Sequence, residues 1–225
     1  MITLNDATPP QFVSCMAEDT EVFDLLRGDI CCAEIEFSAE IRDLCLNLEG
    51  CDSCNKGGPR AGGDGQFFCD AISVFADGPF NYIADPWFCV EQDPKDSTLY
   101  HVSGFVYVCE IQECPAPLEI TITATDCCGN SNFCVATGNV TDTVPPQFDN
   151  CPAEPINVVA DPGMCEAFVQ LPELFAFDNC PNGVIDRGFG GVDVSCDTAS
   201  GVFQVGTTIV TCTATDLCGN TATCT

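Results

Sequence analysis

The sequence predicts an all-β protein built of tandem β-sandwich domains, and three observations predict it. Apolar and polar residues alternate with a period of two through most of the chain. Gly, Pro and Asp turn signals return about every ten residues, the spacing of short sandwich strands. One block of sequence occurs twice. Twenty cysteines among 225 residues add a disulfide scaffold, and with it an oxidising, extracellular compartment.

The two repeats align residue by residue. Repeat one begins at Asp6 and repeat two at Asp142, each leading into a Pro-Pro-Gln-Phe. Cys15 then matches Cys151, Cys31 matches Cys165, and the corner Asp43-Leu44-Cys45 matches Asp178-Asn179-Cys180. Near the end, Cys128 matches Cys218 and Cys134 matches Cys224. The boundaries that follow are a terminal strand at 1–5, a first domain at 6–141 and a second at 142–225 lacking its last strand. The first domain carries a long cysteine-rich insertion over about 46–113, including the loop signal Gly57 to Gly63.

Within each repeat the alternation sets the inward rows. Ile120, Ile122 and Ala124 point one way and Thr121, Thr123 and Thr125 the other; Val210, Cys212 and Ala214 repeat the pattern against Thr211, Thr213 and Thr215. A second row, Cys31, Ala33, Ile35 and Phe37, matches Cys165, Ala167, Val169 and Leu171. Glu34 to Leu48 has some helical propensity, but no segment carries a convincing helical period.

The motifs are specific. Asp142-Thr-x-Pro-Pro-x-Phe148, Cys151-Pro152, Asp178-Asn179-Cys180 and the run from Val205-Gly-Thr-Thr to Asp216-x-Cys218-Gly219-Asn220-Thr-Ala222 together resemble the HYR (hyalin repeat) domain. Repeat two fits along its whole length but for its final strand. Repeat one fits at both ends and departs between Leu46 and Glu113. The resemblance implies an immunoglobulin-like sandwich used in extracellular adhesion and matrix proteins. Cysteine-rich tandem versions resemble those of large surface adhesins of gliding bacteria. The family has no common enzymatic activity.

Six basic residues against 34 acidic ones give a net charge of −28, which excludes nucleic acid as a partner. No apolar run of 18 residues exists, so no membrane insertion is expected. Asp6, Pro9 and Pro10 interrupt any signal-peptide core after Met1, so Met1 is not expected to be the biological start. His101 is the lone histidine, too little for a catalytic constellation, and no enzymatic role is expected. The aromatic group Phe75, Phe80, Tyr82, Trp87 and Phe88 is either a glycan or partner platform or the small core beneath the insertion.

Three sets of candidate site residues follow. Short oxygen-bearing residues recur at the predicted loop pole: Asp142, Asp178, Asn179, Asp216 and Asn220 in repeat two, and Asp6, Asp126 and Asn130 in repeat one, where Leu44 replaces the corner Asn. They are expected either to bind calcium, which takes six to eight hard oxygens, or to form Asx turns. In an immunoglobulin-like sandwich the B–C and F–G loops share a pole. The expected bridges are therefore Cys180–Cys218 and Cys45–Cys128, with Cys165–Cys212 less firmly placed because Ile122 takes the second position in repeat one. Thirteen cysteines fall in repeat one and seven in repeat two, so either a bridge leaves each repeat or one thiol in each stays free.

The third set lies at the seam. Thr215 to Thr225 matches Thr125 to Val135, and the internal copy runs on to Asp142, a continuation that Met1 to Phe12 supplies. Ile2 and Leu4 alternate with Thr3 and Asn5 as in a half-buried strand. The expectation is a head-to-tail rod or filament of copies or flanking repeats at a cell surface, one unit's first strand completing the unit before it. The alternative is a glycan- or partner-binding accessory module of a secreted hydrolase.

Overall fold

Alternation over long stretches gives long strands, and it is strongest in repeat one. A computed structural model describes residues 6–21, 23–25, 29–44, 46, 71–160, 162–180 and 192–225, all of them in strands, turns or coil. The chain divides into two units, each considered by itself. Unit 1 comprises 1–23, 32–109 and 115–141; unit 2 comprises 24–31, 110–114 and 142–225.

The strands in chain order begin with β1 (Gln11–Ala17), β2 (Thr20–Glu21), β3 (Phe23–Leu25), β4 (Asp29–Arg42) and β5 (Ile72–Asp77). They continue with β6 (Phe80–Ile83), β7 (Trp87–Gln92), β8 (Leu99–Ile111), β9 (Ala116–Thr125) and β10 (Ser131–Thr141). One sheet has the order β1-β4-β8-β6, with β3 beside β4 and β7 beside β8; the other runs β2-β10-β9-β5. Reading β1, β4, β8 and β6 as A, B, E and D, and β5, β9 and β10 as C, F and G, the arrangement is immunoglobulin-like.

The core of unit 1 forms where the inward rows meet. Ala33, Ile35, Ala39, Ile41, Val102, Val106 and Val108 come from the first sheet, and Leu118, Ile120, Ile122, Ala124, Ala136 and Val140 from the second, all fully or almost fully buried. The expected inward rows Ile120-Ile122-Ala124 and Cys31-Ala33-Ile35-Phe37 are buried as read. Glu34 to Arg42, inside the stretch with helical propensity, is strand, because β1 and β8 pair with β4 on both sides. Backbone partners and a buried face outweigh local propensity there. Gly104 on β8 permits close packing: a Cβ at that position would fall 2.7 Å from the Phe37 ring and 2.8 Å from the Phe88 Cα.

Unit 2 has shorter strands: β11 (Gln147–Phe148), β12 (Glu166–Val169), β13 (Ala176–Phe177), β14 (Asp193–Cys196), β15 (Gly201–Gln204), β16 (Cys212–Thr215) and β17 (Thr221–Cys224). They pair as β11-β13, β12-β15 and β14-β16-β17. Ala167, Cys212 and Ala214 are buried, but Val169, Leu171 and Val210 are only half-buried and Cys165 is exposed.

The disulfides correct the sequence expectations. Cys180 bonds Cys31, Cys218 bonds Cys114, and Cys212 bonds Cys196. The expected pairs Cys180–Cys218 and Cys165–Cys212 therefore do not form. Cys128 carries a free thiol, so Cys45–Cys128 does not form either, and Cys45 itself lies outside the described residues. The reason is that unit 2 takes in two segments, 24–31 and 110–114, that alignment places in repeat one. These segments bring Cys31 and Cys114 to the loop pole ahead of the local partners. Cys15–Cys134 ties β1 to β10 across the two sheets of unit 1, Cys32–Cys109 joins neighbouring residues of β4 and β8, and Cys151–Cys224 closes unit 2. Among the described residues two bridges link repeat-one to repeat-two sequence, and one thiol in each repeat, Cys128 and Cys165, is free.

Candidate cation centre and open sheet edge

The loop between the last two strands of each repeat is built by one Asp-x-Cys-Gly-Asn turn. Gly129 and Gly219 adopt φ of 85° and 83°, which L side chains rarely accept, and each donates its N–H to the carbonyl of Asp126 or Asp216. The Asp216 carboxylate accepts the Asn220 N–H and the Asn220 Nδ2, both at 2.8 Å. Asp126 does the same for Asn130 at 2.8 and 2.7 Å, and also accepts the Cys128 N–H at 2.9 Å. These donors, the Asn130 side chain first, hold the Asp126 carboxyl below the ordinary value of 3.8. The same Asn then docks the start of its repeat: Asn220 Nδ2 donates to the Asp142 carbonyl at 2.9 Å, and Asn130 Nδ2 to that of Asp6 at 3.1 Å. For Asp216, Asn220, Asp126 and Asn130 the Asx-turn role accounts for the side chains.

The repeats diverge at the next step. In unit 2 the Asp142 side chain is 2 % exposed; its Oδ1 accepts the Val144 N–H at 3.0 Å, while its Oδ2 is buried without a hydrogen-bond partner. Asp178 accepts the Cys180 N–H through Oδ2 at 2.9 Å and leaves its Oδ1 buried and unpartnered. The Oδ1 of Asn179 is a third such oxygen. Ligand atoms of Asp142, Asp178 and Cys180 lie within 4.8 Å of one another, but the Cys180 sulfur is committed to its bridge with Cys31. Each buried oxygen left without a donor costs about 1–3 kcal/mol. Burial, then the charges of Asp142 and Asp216 and the hydrogen bond that a protonated Asp178 makes with the Asp142 side chain, push the Asp178 carboxyl up to about 6 against the opposing Cys180 N–H bond. Among the described residues the ion pairs are those of Arg42 and His101, and neither reaches this pole.

Unit 1 does not reproduce this cluster. Asp6 is exposed and accepts the Thr8 N–H at 2.9 Å, and Leu44, where Asn179 stands in repeat two, is 86 % exposed. The sequence placed both oxygen sets alike, and Asp43, the counterpart of Asp178, is buried as well; what separates them is the exposure of Asp6 where Asp142 is buried, and Leu44 in place of Asn179.

A second feature is an open edge. In unit 1, β10 pairs with β9 over ten residues, from Ser131↔Thr125 to Val140↔Ala116, and its far end lies between β9 and the parallel β2. Ala136, Gly138 and Val140 point inward there. In unit 2 the equivalent β17 pairs with β16 over four residues, ending at Cys224↔Cys212. Residues 206–211, the counterparts of 116–121, form no strand. Ile156 and Val158, which the alignment matches to 20 and 22 and so to the β2 side of the lane in unit 1, are 50 % and 51 % exposed. Ile2, Thr3, Leu4 and Asn5, the strand expected to fill such a lane, lie outside the described residues.

The aromatic group divides. Trp87 stacks on Phe105 with centroids 5.2 Å apart, whereas Phe75 and Tyr82 are largely exposed, on strands of different sheets. His101 sits between Glu40 and Asp93, at 3.5 and 3.3 Å, as a surface hydrogen-bonding residue.

No family model matches the chain. A solved structure titled "Tandem Ig repeats of Dlar" is similar over 97 % of this chain and 95 % of that one, at 11 % identity and a TM-score of 0.21, too low to bear on fold or function.

Proposed function

We propose that this chain is an extracellular structural or adhesive repeat module that joins copies head to tail, each copy's first strand completing unit 2 of its neighbour. The reading gives the chain no enzymatic role. Its disulfide density suits an oxidising exterior.

The observation that carries the proposal is the contrast between equivalent lanes. In unit 1 the lane between β9 and β2 holds the far half of β10, and Val140 on it and Ile120 beside it are fully buried. In unit 2 residues 206–211 form no strand, and Ile156 and Val158, at the aligned positions of the facing side, are half exposed. An unpaired edge beside an apolar surface takes up an added strand. The repeat alignment supplies the occupant. With Asp6 matched to Asp142, Leu4 falls on Val140 and Ile2 on Gly138, both inward positions, while Thr3 and Asn5 fall on outward ones. A head-to-tail contact of this kind does not close on itself, so it propagates.

Two variants of the full chain test it, followed by analytical ultracentrifugation and electron microscopy. Removing residues 1–5 abolishes association. Appending one alanine followed by a second copy of Met1–Asp6 after Thr225, which sets Asp6 on the Asp142 position of the alignment, fills the lane from within and gives a monomer of raised melting temperature. Association that survives the deletion, or an appended strand that leaves both assembly and melting unchanged, overturns the proposal.

A further inference from the structure

We infer that unit 2 binds one calcium ion at its loop pole, held by Asp142, Asp178 and Asn179, and that unit 1 binds none. The inference is independent of how copies associate, because every residue in it belongs to unit 2.

The chemistry begins with three buried oxygens that no donor satisfies: Asp142 Oδ2, Asp178 Oδ1 and Asn179 Oδ1. Buried polar atoms in folded proteins are almost always paired, so ligand atoms of Asp142 and Asp178 within 4.8 Å of each other, with the adjacent Asn179 Nδ2 donating to Asp142 Oδ1 at 3.4 Å and its Oδ1 also unsatisfied, call for a missing partner. That partner carries positive charge, because two of the oxygens are carboxylate and the Asp216 carboxylate also acts on Asp178. Among the described residues no Lys or Arg ion pair supplies it. A hard cation does, with oxygen ligands at about 2.3–2.6 Å and water completing its shell. A softer metal is disfavoured, since the nearby Cys180 and Cys218 sulfurs are both in disulfides and offer no thiolate.

The surroundings prepare the site. The Val144 and Cys180 N–H groups fix one oxygen of each carboxylate and turn the other inward. Asn220 pins the Asp142 main chain, and the Asp142 N–H lies 3.4 Å from the Cys218 sulfur. The bridges Cys31–Cys180 and Cys114–Cys218 anchor both loops covalently. Unit 1 has the same turn, yet Asp6 and Leu44 are exposed and the Asp126 carboxylate is fully occupied by its own loop.

The test is calorimetric titration of calcium chloride into chelator-treated full chain, with melting curves taken alongside. The expected result is one site per chain, with affinity in the range of extracellular modules, about 10⁻⁴–10⁻³ M. Asp178→Asn is expected to weaken binding about tenfold or more. In chelator the same variant melts higher than the parent, because it removes a buried like charge, and in calcium the order reverses. Asp126→Asn leaves the titration unchanged. Absence of binding, two equivalent sites, loss of binding in Asp126→Asn, an equal response to magnesium, or Asp178→Asn melting above the parent in calcium as well would each overturn the inference.

Discussion

Ile120 and Val210 occupy the same register in the two repeats, five residues before the matched Thr125 and Thr215, and they make a paired experiment. Ile120 is completely buried between Ala136 of β10 and Ala76 of β5. Both flanking residues are alanine and have no side chain to swing into a cavity. Ile120→Ala should therefore fall in the middle to upper part of the usual range, about 3–4 kcal/mol. Val210 is half-buried, and removing its two methyls at about 0.8 kcal/mol per fully buried carbon gives only about 0.8 kcal/mol. When a strand from a neighbour or an appended segment covers it, that figure should rise to about 2 kcal/mol. Urea unfolding followed by fluorescence of the single tryptophan, Trp87 on β7, reports unit 1. Hydrogen exchange of the β16 and β17 amides reports unit 2, since a chain of two units has no single unfolding free energy. A loss at Val210 as large as at Ile120 without the added strand, or a loss that the strand does not change, would refute the reasoning.

Two further outcomes are expected. Alkylation of the folded chain without reductant, read by peptide mass spectrometry, should label Cys128 and Cys165 and spare Cys15, Cys31, Cys32, Cys109, Cys114 and Cys180. Acid should loosen the unit 1 turn: Asp126 is held below its ordinary value by Asn130, so its contribution is complete above about pH 4 and is lost as pH falls through the lowered value. Asp126→Asn should remove that acid limb from the exchange rates of the Cys128 and Asn130 amides, and a limb that persists would show that another group is responsible.

Much of the fold was legible because a period of two is a direct record of which face of a strand is buried. The rows through Ile35 and through Ile122 read correctly for that reason. In the row through Cys165, Ala167, Val169 and Leu171 are more buried than their neighbours, but Cys165 is exposed. Its repeat-one counterpart, Cys31, is buried and bridged to Cys180, whereas Cys165 lies at the exposed start of β12. The disulfide pairs were illegible for a different reason. Cys31 and Cys180 are 149 residues apart, and their meeting depends on a segment of the first repeat joining the second unit, which no local pattern records. The odd cysteine count in each repeat announced that something must cross or stay free without saying which residues would do so. At the loop pole, residue type located the oxygens, and the presence or absence of a donor sorted them. Asp142 and Asp126 look equivalent as letters, yet only the first carries an oxygen with nothing to accept from.

The division of the chain also changes what a break in it does. The backbone passes between the two units at 23–24, 31–32, 109–110, 114–115 and 141–142. Two of these crossings are marked by residues with positive φ, Cys31 at 61° and Glu110 at 57°, directly beyond the Cys32–Cys109 bridge. In an ordinary string of domains a single protease cut in the linker releases everything downstream. Here a cut at 141–142 leaves four peptide crossings intact, and a pull on either end of the molecule is shared among parallel covalent paths. A molecule so connected keeps its second repeat through damage that would sever a simple chain of beads.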